Sequence, residues 1–247
     1  MALITNEILL VLGIASIAAV LTFLGAPLAE RVDVPHQVVG AALQLAAGSI
    51  IAVVAFTLMP PAVQIARPLL IMPAFFVGGA LFVLMDNLSA SWQSARPSTA
   101  SEPVSLGLYL GVLTDMAIDG VAIGNGSSLT LGAGLLVAAG LAINNVPLAF
   151  LTIATAKRQG MPPERRRLLS ILFIVIILAG ATLGYWVLEG QSELVKLALV
   201  SLVSGFLITM VTQSMIPEAH QQSAARSLGI FFVGGLSLFA LLSLMLH

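Results

Sequence analysis

Apolar residues fill this chain in eight long blocks separated by short polar stretches, a pattern that predicts eight membrane-spanning helices. The blocks cover 7–26, 38–59, 68–86, 104–126, 130–156, 167–188, 194–216 and 227–246. Each is close to the roughly 20 residues that a bilayer core requires, or longer. The longest connection, "NLSASWQSARPSTASEP" between spans three and four, is rich in Ser, Pro and Ala and reads as a flexible loop. The opening "MALITNEILLVLGIASIAAVLTFLGA" has a long apolar run with no basic flank. It is expected to remain as the first span rather than to be cleaved as a signal.

Composition sharpens the picture. Of 247 residues, 59% are hydrophobic and 9% charged, and the mean hydropathy is +1.07. Soluble domains carry roughly 25% charged residues, so a membrane protein with a single transmembrane domain over 1–247 is expected. The formal net charge of -1 gives nucleic acid no basic face to bind. Cysteine is absent, which removes disulfides, thiolate metal sites and thiol redox chemistry.

The basic residues predict an orientation. The connections after spans one, three, five and seven hold Arg31, Arg96, Lys157, Arg158, Arg165, Arg166, Arg167 and Arg226; the others hold only Arg67 and Lys196. The positive-inside rule puts the first set in the cytoplasm and both termini outside. The run "ERRRLL" from Glu164 reads as a topology anchor facing anionic lipid.

The chain also matches itself. "GSIIAVVAFTLMPPAVQ" from Gly48 aligns with "GFLITMVTQSMIPEAHQ" from Gly205, pairing Thr57 with Ser214, Pro60 with Pro217 and Gln64 with Gln221. One residue out of that register, "FFVGG" at Phe75 recurs at Phe231. Spans two and three thus correspond to spans seven and eight, five spans apart. An odd offset makes the copies cross in opposite senses, the inverted repeat of alternating-access transporters. The expected architecture is all-α, with eight transmembrane helices in a 3+2+3 inverted-repeat arrangement.

The two unrepeated helices, four and five, carry the chemistry. "TDMAIDGVAIGNG" puts Asp115 and Asp119 four residues apart, on one face of span four and deep in it. Intramembrane carboxylates are costly, and by default they are functional candidates. A divalent cation held between them, or a shared proton, would remove the repulsion. The next helix answers with "INNVPLAF", in which Asn144 and Asn145 offer amide oxygens at a similar depth. Pro147 cannot donate a backbone hydrogen bond, which frees the Ile143 carbonyl. Gly120 and Gly124 allow close helix packing. Two carboxylates and two amides form a hard-oxygen set, suited by ligand type to Mg, Ca or Mn rather than Zn or Cu(I). The competing reading makes all four residues interhelical hydrogen-bond partners. Against it stands the absence of any intramembrane Lys, Arg or His to pair two acids on one face.

These residues also carry a family resemblance. Over its full length the chain resembles the ZIP (Zrt- and Irt-like) metal transporters. That family has eight spans, outward termini and the three-two-three inverted plan. Its fourth helix carries His-Asn-x-x-Glu/Asp-Gly, its fifth His/Gln-Asn/Asp/Glu-x-Pro-Glu-Gly, and its seventh typically ends Glu-x-Ile-Pro-Glu-Ala-His. Here the corresponding stretches read "DMAIDGVAIG", "NNVPLA" and "SMIPEAH". "GALFVLMD" in span three is also similar. The departures fall on the ligands: Asp115 stands at the family's His, Met116 at its Asn, Asn144 at its His or Gln, Leu148 at a metal-bridging Glu, and Ser214 at another acid. Asp119 keeps an acid. The resemblance implies a divalent-metal importer in which the two-metal centre is reduced to one site. That site would use Asp115, Asp119, Asn144 and Asn145 or Met116, and Zn, Mn, Fe or Cd would be the transported substrate rather than a cofactor.

Polar residues elsewhere suggest a path. Gln44 in span two and Gln213 and Ser214 in span seven sit at membrane depth. Glu218 and His220 end span seven, and Glu30, Asp33 and His36 lie between spans one and two. Together these could relay cations at the cytoplasmic end, with His titrating near neutral pH; a solvated helix end is the plainer reading. In the expected mechanism the two three-helix units move against helices four and five. No enzymatic role is expected: two acids at i and i+4 on one helix differ from a dyad contributed by two helices. The alternative function is a ZIP-like fold that has lost metal transport and serves as a proton-coupled carrier of another solute, a sensor or a scaffold. The expected partners are a divalent metal ion and the lipid bilayer, and abundant small residues would allow a homodimer. The expected location is the cytoplasmic membrane of a prokaryote.

Overall fold

The computed structural model describes residues 2–32, 35–65, 68–94, 106–188, 190–223 and 227–246. Asp33, Arg67, Arg96, Glu189 and Arg226 lie outside them. The described elements are α1 (Ala2–Arg31), α2 (His36–Val53), α3 (Met59–Ile65), α4 (Pro68–Ser94), α5 (Leu106–Leu129), α6 (Leu131–Arg158), α7 (Pro163–Leu188), α8 (Glu193–Met210), α9 (Ile216–Gln222) and α10 (Leu228–Leu246). A π-helical turn, Val54–Leu58, joins α2 to α3, and a second, Val211–Met215, joins α8 to α9. Among the described residues, seven helical segments are long and apolar enough to cross a membrane, as in an integral membrane protein. The remaining long helix, α5, has 24 residues. It carries both aspartates and the polar run from Asn125 to Ser128.

The helices overrun the edges set by hydropathy. α1 continues through Pro27 to Arg31. α4 runs on to Ser94, so the first part of the expected flexible loop is helical. The stretch "NLSASWQS" contains no Pro or Gly to stop the helix, and the first breaker in the sequence is Pro97.

The π turns have a readable cause. A proline ring clashes with the carbonyl four residues earlier and removes one helical hydrogen bond. For Pro60 that carbonyl belongs to Phe56, and for Pro217 to Gln213. Both fall inside a π turn, where the wider spacing relieves the clash.

One constant relates the second and seventh spans. α2 and α8, the two π turns, and α3 and α9 all correspond at both ends by a shift of 157 residues. Packing follows the same shift. A Cβ on Gly48 of α2 would sit 2.0 Å from the Phe232 carbonyl oxygen of α10, and one on Gly205 of α8 would sit 1.9 Å from that of Phe75 in α4. Phe75 thus corresponds to Phe232, and the "FFVGG" match at Phe231 is one residue out of the packing register.

Close backbone contact builds the rest. Gly120 and Gly124 of α5 interlock with Gly180 and Gly184 of α7, each too near a facing carbonyl to accept a Cβ. Gly25 of α1 does the same against Val146 of α6. Without a hydrophobic drive between helices in lipid, such small-residue contacts set the association. Accordingly α1 and α7 pack chiefly on α6 and α5, while α2 pairs with α10 and α4 with α8. In the most apolar window of α6, 67% of residues are buried, against 17% in α4 and 22% in α10. The helices with the candidate chemistry are therefore interior, and α4 and α10 line the outside.

Candidate functional site

α5 and α6 form an antiparallel hairpin through a tight turn. Thr130 caps α6, its Oγ1 accepting the Ala133 N–H at 3.0 Å. Gly126 and Gly134 let the two backbones meet there. From this fixed end the helices run side by side and bring Asp119 opposite Asn145.

Asp119 is 0% exposed. Among the described residues, its two carboxylate oxygens and Thr57 Oγ1 are the buried side-chain polar atoms with no hydrogen-bond partner. The carboxylate feels the Asp115 charge along its own helix and the Asn145 amide across the hairpin. That amide interacts with the carboxylate but closes no hydrogen bond onto either oxygen. Asp115, one turn away, is partly exposed. Two acids on one face and an unsatisfied buried carboxylate are expensive in a dry interior.

Asn144 and Asn145 are both 1% exposed. Asn144 Nδ2 donates to Asn145 Oδ1 at 3.0 Å. The pair therefore orients itself, and Asn144 Oδ1 is the amide oxygen not engaged in it. Pro147 lies inside α6 without breaking it, so the Ile143 carbonyl lacks its usual i+4 donor. Met116 is fully buried in the main hydrophobic core. Among the described residues, no three His, Cys, Asp or Glu side chains gather as a metal-holding group. Any cation here would rest on the two aspartates and neutral oxygens.

The other sequence-predicted residues divide. Gln44 is buried, 3.4 Å from His220 Nδ1. That nitrogen also lies 2.7 Å from the Ile216 carbonyl oxygen. A ring nitrogen that donates to the carbonyl cannot accept from Gln44, so the shorter contact is the formed bond. The ring nitrogen Nδ1 of His36 donates to Gln222 Oε1 at 2.7 Å, and Gln222 Nε2 donates to Glu218 Oε1 at 2.7 Å. α2 and α9 thus bring Gln44, His36, Glu218 and His220 to one end of the bundle. Gln213 and Ser214 are exposed on the second π turn, whereas their counterparts Phe56 and Thr57 are exposed and buried respectively.

Glu30 does not join that cluster. Its carboxylate takes a two-pronged bond from Arg166, Nε to Oε1 at 2.5 Å and an Nη to Oε2 at 2.9 Å. Arg166 also donates to the Met161 carbonyl, and Lys157 Nζ donates to the Glu30 carbonyl at 3.1 Å. The middle arginine of "ERRRLL" is therefore turned inward as a tie between α1 and the α6–α7 turn, while Arg165 and Arg167 are exposed. Sequence reasoning missed this pair, because 136 residues separate its members and charge spacing reads only local partners.

Cavities lie at both ends. One, of about 270 Å³, is bounded by α1, α2, α6 and α9 and includes Lys157. The other, of about 420 Å³, adjoins the α5–α6 turn and includes Ser128 and Lys196. No family model matches the chain, and no curated protein matches it.

Proposed function

We propose that this membrane protein transports a divalent cation toward the cytoplasm, holding it between α5 and α6. The carrying observation is Asp119, fully buried, one turn from Asp115 and facing the Asn145 amide, with no hydrogen bond closed onto either oxygen among the described residues. Two carboxylates neutralise one divalent ion, and the Asn144 amide oxygen and Ile143 carbonyl are neutral ligands within the same helix pair. The resemblance to ZIP transporters supports this reading, as does the 157-residue correspondence, which fits a 3+2+3 inverted repeat with both termini outside. Access would alternate as the compact group α1, α5, α6 and α7 shifts against the α2–α10 and α4–α8 pairs. A hard-oxygen site favours Mn or Mg over softer ions, with Zn, Fe(II) and Cd as competitors.

Liposomes holding purified protein test this directly. Saturable uptake of at least one ion among Zn, Mn, Fe(II), Cd, Mg and Ca is expected, and it should vanish in Asp119→Asn. Wild-type uptake in that variant would sink the assignment. A second reading has its own observation, the missing third ionisable ligand: the two aspartates would share a proton, and the protein would be a proton-coupled carrier of another solute. Failure of every divalent ion to raise the melting temperature, with proton flux retained, would favour it.

A further inference from the structure

We propose that the cavity bounded by α1, α2, α6 and α9 is a binding site for an anionic phospholipid. α1 and α2 both pack on α6, and the cavity opens between their ends over that helix. Most of its wall is apolar, from Val32, Val39, Phe150 and Leu151, with His36, Thr155 and Gln222 as polar members at one side. Such a wall offers a divalent cation few ligands but gives an acyl chain a dry surface. Lys157 stands on its rim. The ammonium spends one donor on the Glu30 carbonyl, at 3.1 Å, and has two more.

The surrounding charge fits a phosphate. Arg31, Arg165 and Arg167 are exposed around the same end. Of the acids at that end, Glu30 is already neutralised by Arg166 at 2.5 Å, Glu218 accepts from Gln222 of the cavity lining, and Glu164 is exposed beside Arg165, which leaves the basic residues in excess. A cation would be repelled from this rim and a lipid phosphate drawn to it. An apolar groove capped by basic residues at the end of a transmembrane bundle is the arrangement that holds anionic headgroups. The occupant is a bilayer lipid rather than a free anion, because the larger part of the site is apolar. This inference does not rest on the transport reading.

Native mass spectrometry of the detergent-purified full chain tests it, with phosphatidylglycerol and phosphatidylcholine offered at equal concentration. Wild type should retain one phosphatidylglycerol in preference to phosphatidylcholine. Lys157→Gln, which removes the charge but keeps an amide donor, should lower the affinity for phosphatidylglycerol about fivefold, and Lys157→Arg should restore it. Ala154→Trp, filling the cavity, should also release the lipid; if it does not fold, the Lys157 pair decides alone. Lys196→Gln at the opposite end should change nothing. Equal retention of both lipids, or wild-type retention in Lys157→Gln, would overturn the proposal. So would a melting-temperature rise with inorganic phosphate equal to that with phosphatidylglycerol, since the apolar wall would then play no part.

Discussion

Gly48 lies so close to Phe232 that a Cβ would sit 2.0 Å from the phenylalanine's carbonyl oxygen. Gly205 stands in the same relation to Phe75, at 1.9 Å. These are two copies of one contact, shifted by 157 residues. Backbone cannot yield as a flexible side chain can, so Gly48→Ala and Gly205→Ala should each destabilise by about 1–3 kcal/mol. Gly13, with nothing within 4 Å of its built Cβ, is the control. Gly13→Ala should be neutral or slightly stabilising in thermal melts, because alanine is the better helix former.

A buried carboxylate with no partner costs stability, and a protein keeps one where function needs it. Asp119→Asn is nearly isosteric and removes the charge. It should raise the melting temperature, by about 1–3 kcal/mol of added stability, while abolishing saturable uptake. A fall in melting temperature would instead mean that the carboxylate is a structural partner.

The transported ion should stabilise the protein by mass action, about 2.7 kcal/mol at a hundredfold excess over its dissociation constant. Thermal melts of wild type with Mn or Mg should show the rise, and melts of Asp119→Asn should not.

Asn145 bears on Asp119 and is itself held by Asn144 at 3.0 Å. Removing such a supporting group costs about 10–100-fold in metal affinity. Asn144→Ala should therefore raise the half-saturating ion concentration by about tenfold or more with a folded protein and a measurable maximal rate. An unchanged half-saturation would remove the amide pair from the site.

Arg166 and Glu30 tie α1 to the α6–α7 turn with both carboxylate oxygens engaged. The arginine side chain is 11% exposed and the glutamate 37%, so solvent screens the pair in part. A double-mutant cycle with Arg166→Met and Glu30→Gln should give a coupling of about 1 kcal/mol. Arg166→Met alone should cost more than Arg165→Met, whose side chain is exposed.

Hydrophobic blocks in the sequence were enough to predict long helices in a membrane protein, because in lipid each helix must satisfy its own backbone and its length is set by the bilayer. The repeat at Gly48 and Gly205 was legible too, since prolines and glycines hold backbone positions that composition alone does not. Asp115, Asp119, Asn144 and Asn145 were legible as candidates because polar groups at membrane depth are costly. Tertiary packing decided the rest. It chose the 157 register over the "FFVGG" match, because a glycine fits only where a facing carbonyl comes close. It buried Asp119 more deeply than Asp115, although both share one face of one helix, and set Asn145 of α6 against the first. It drew Glu30 to Arg166 across 136 residues, because an ion pair depends on where two chain segments meet and not on their spacing in the chain.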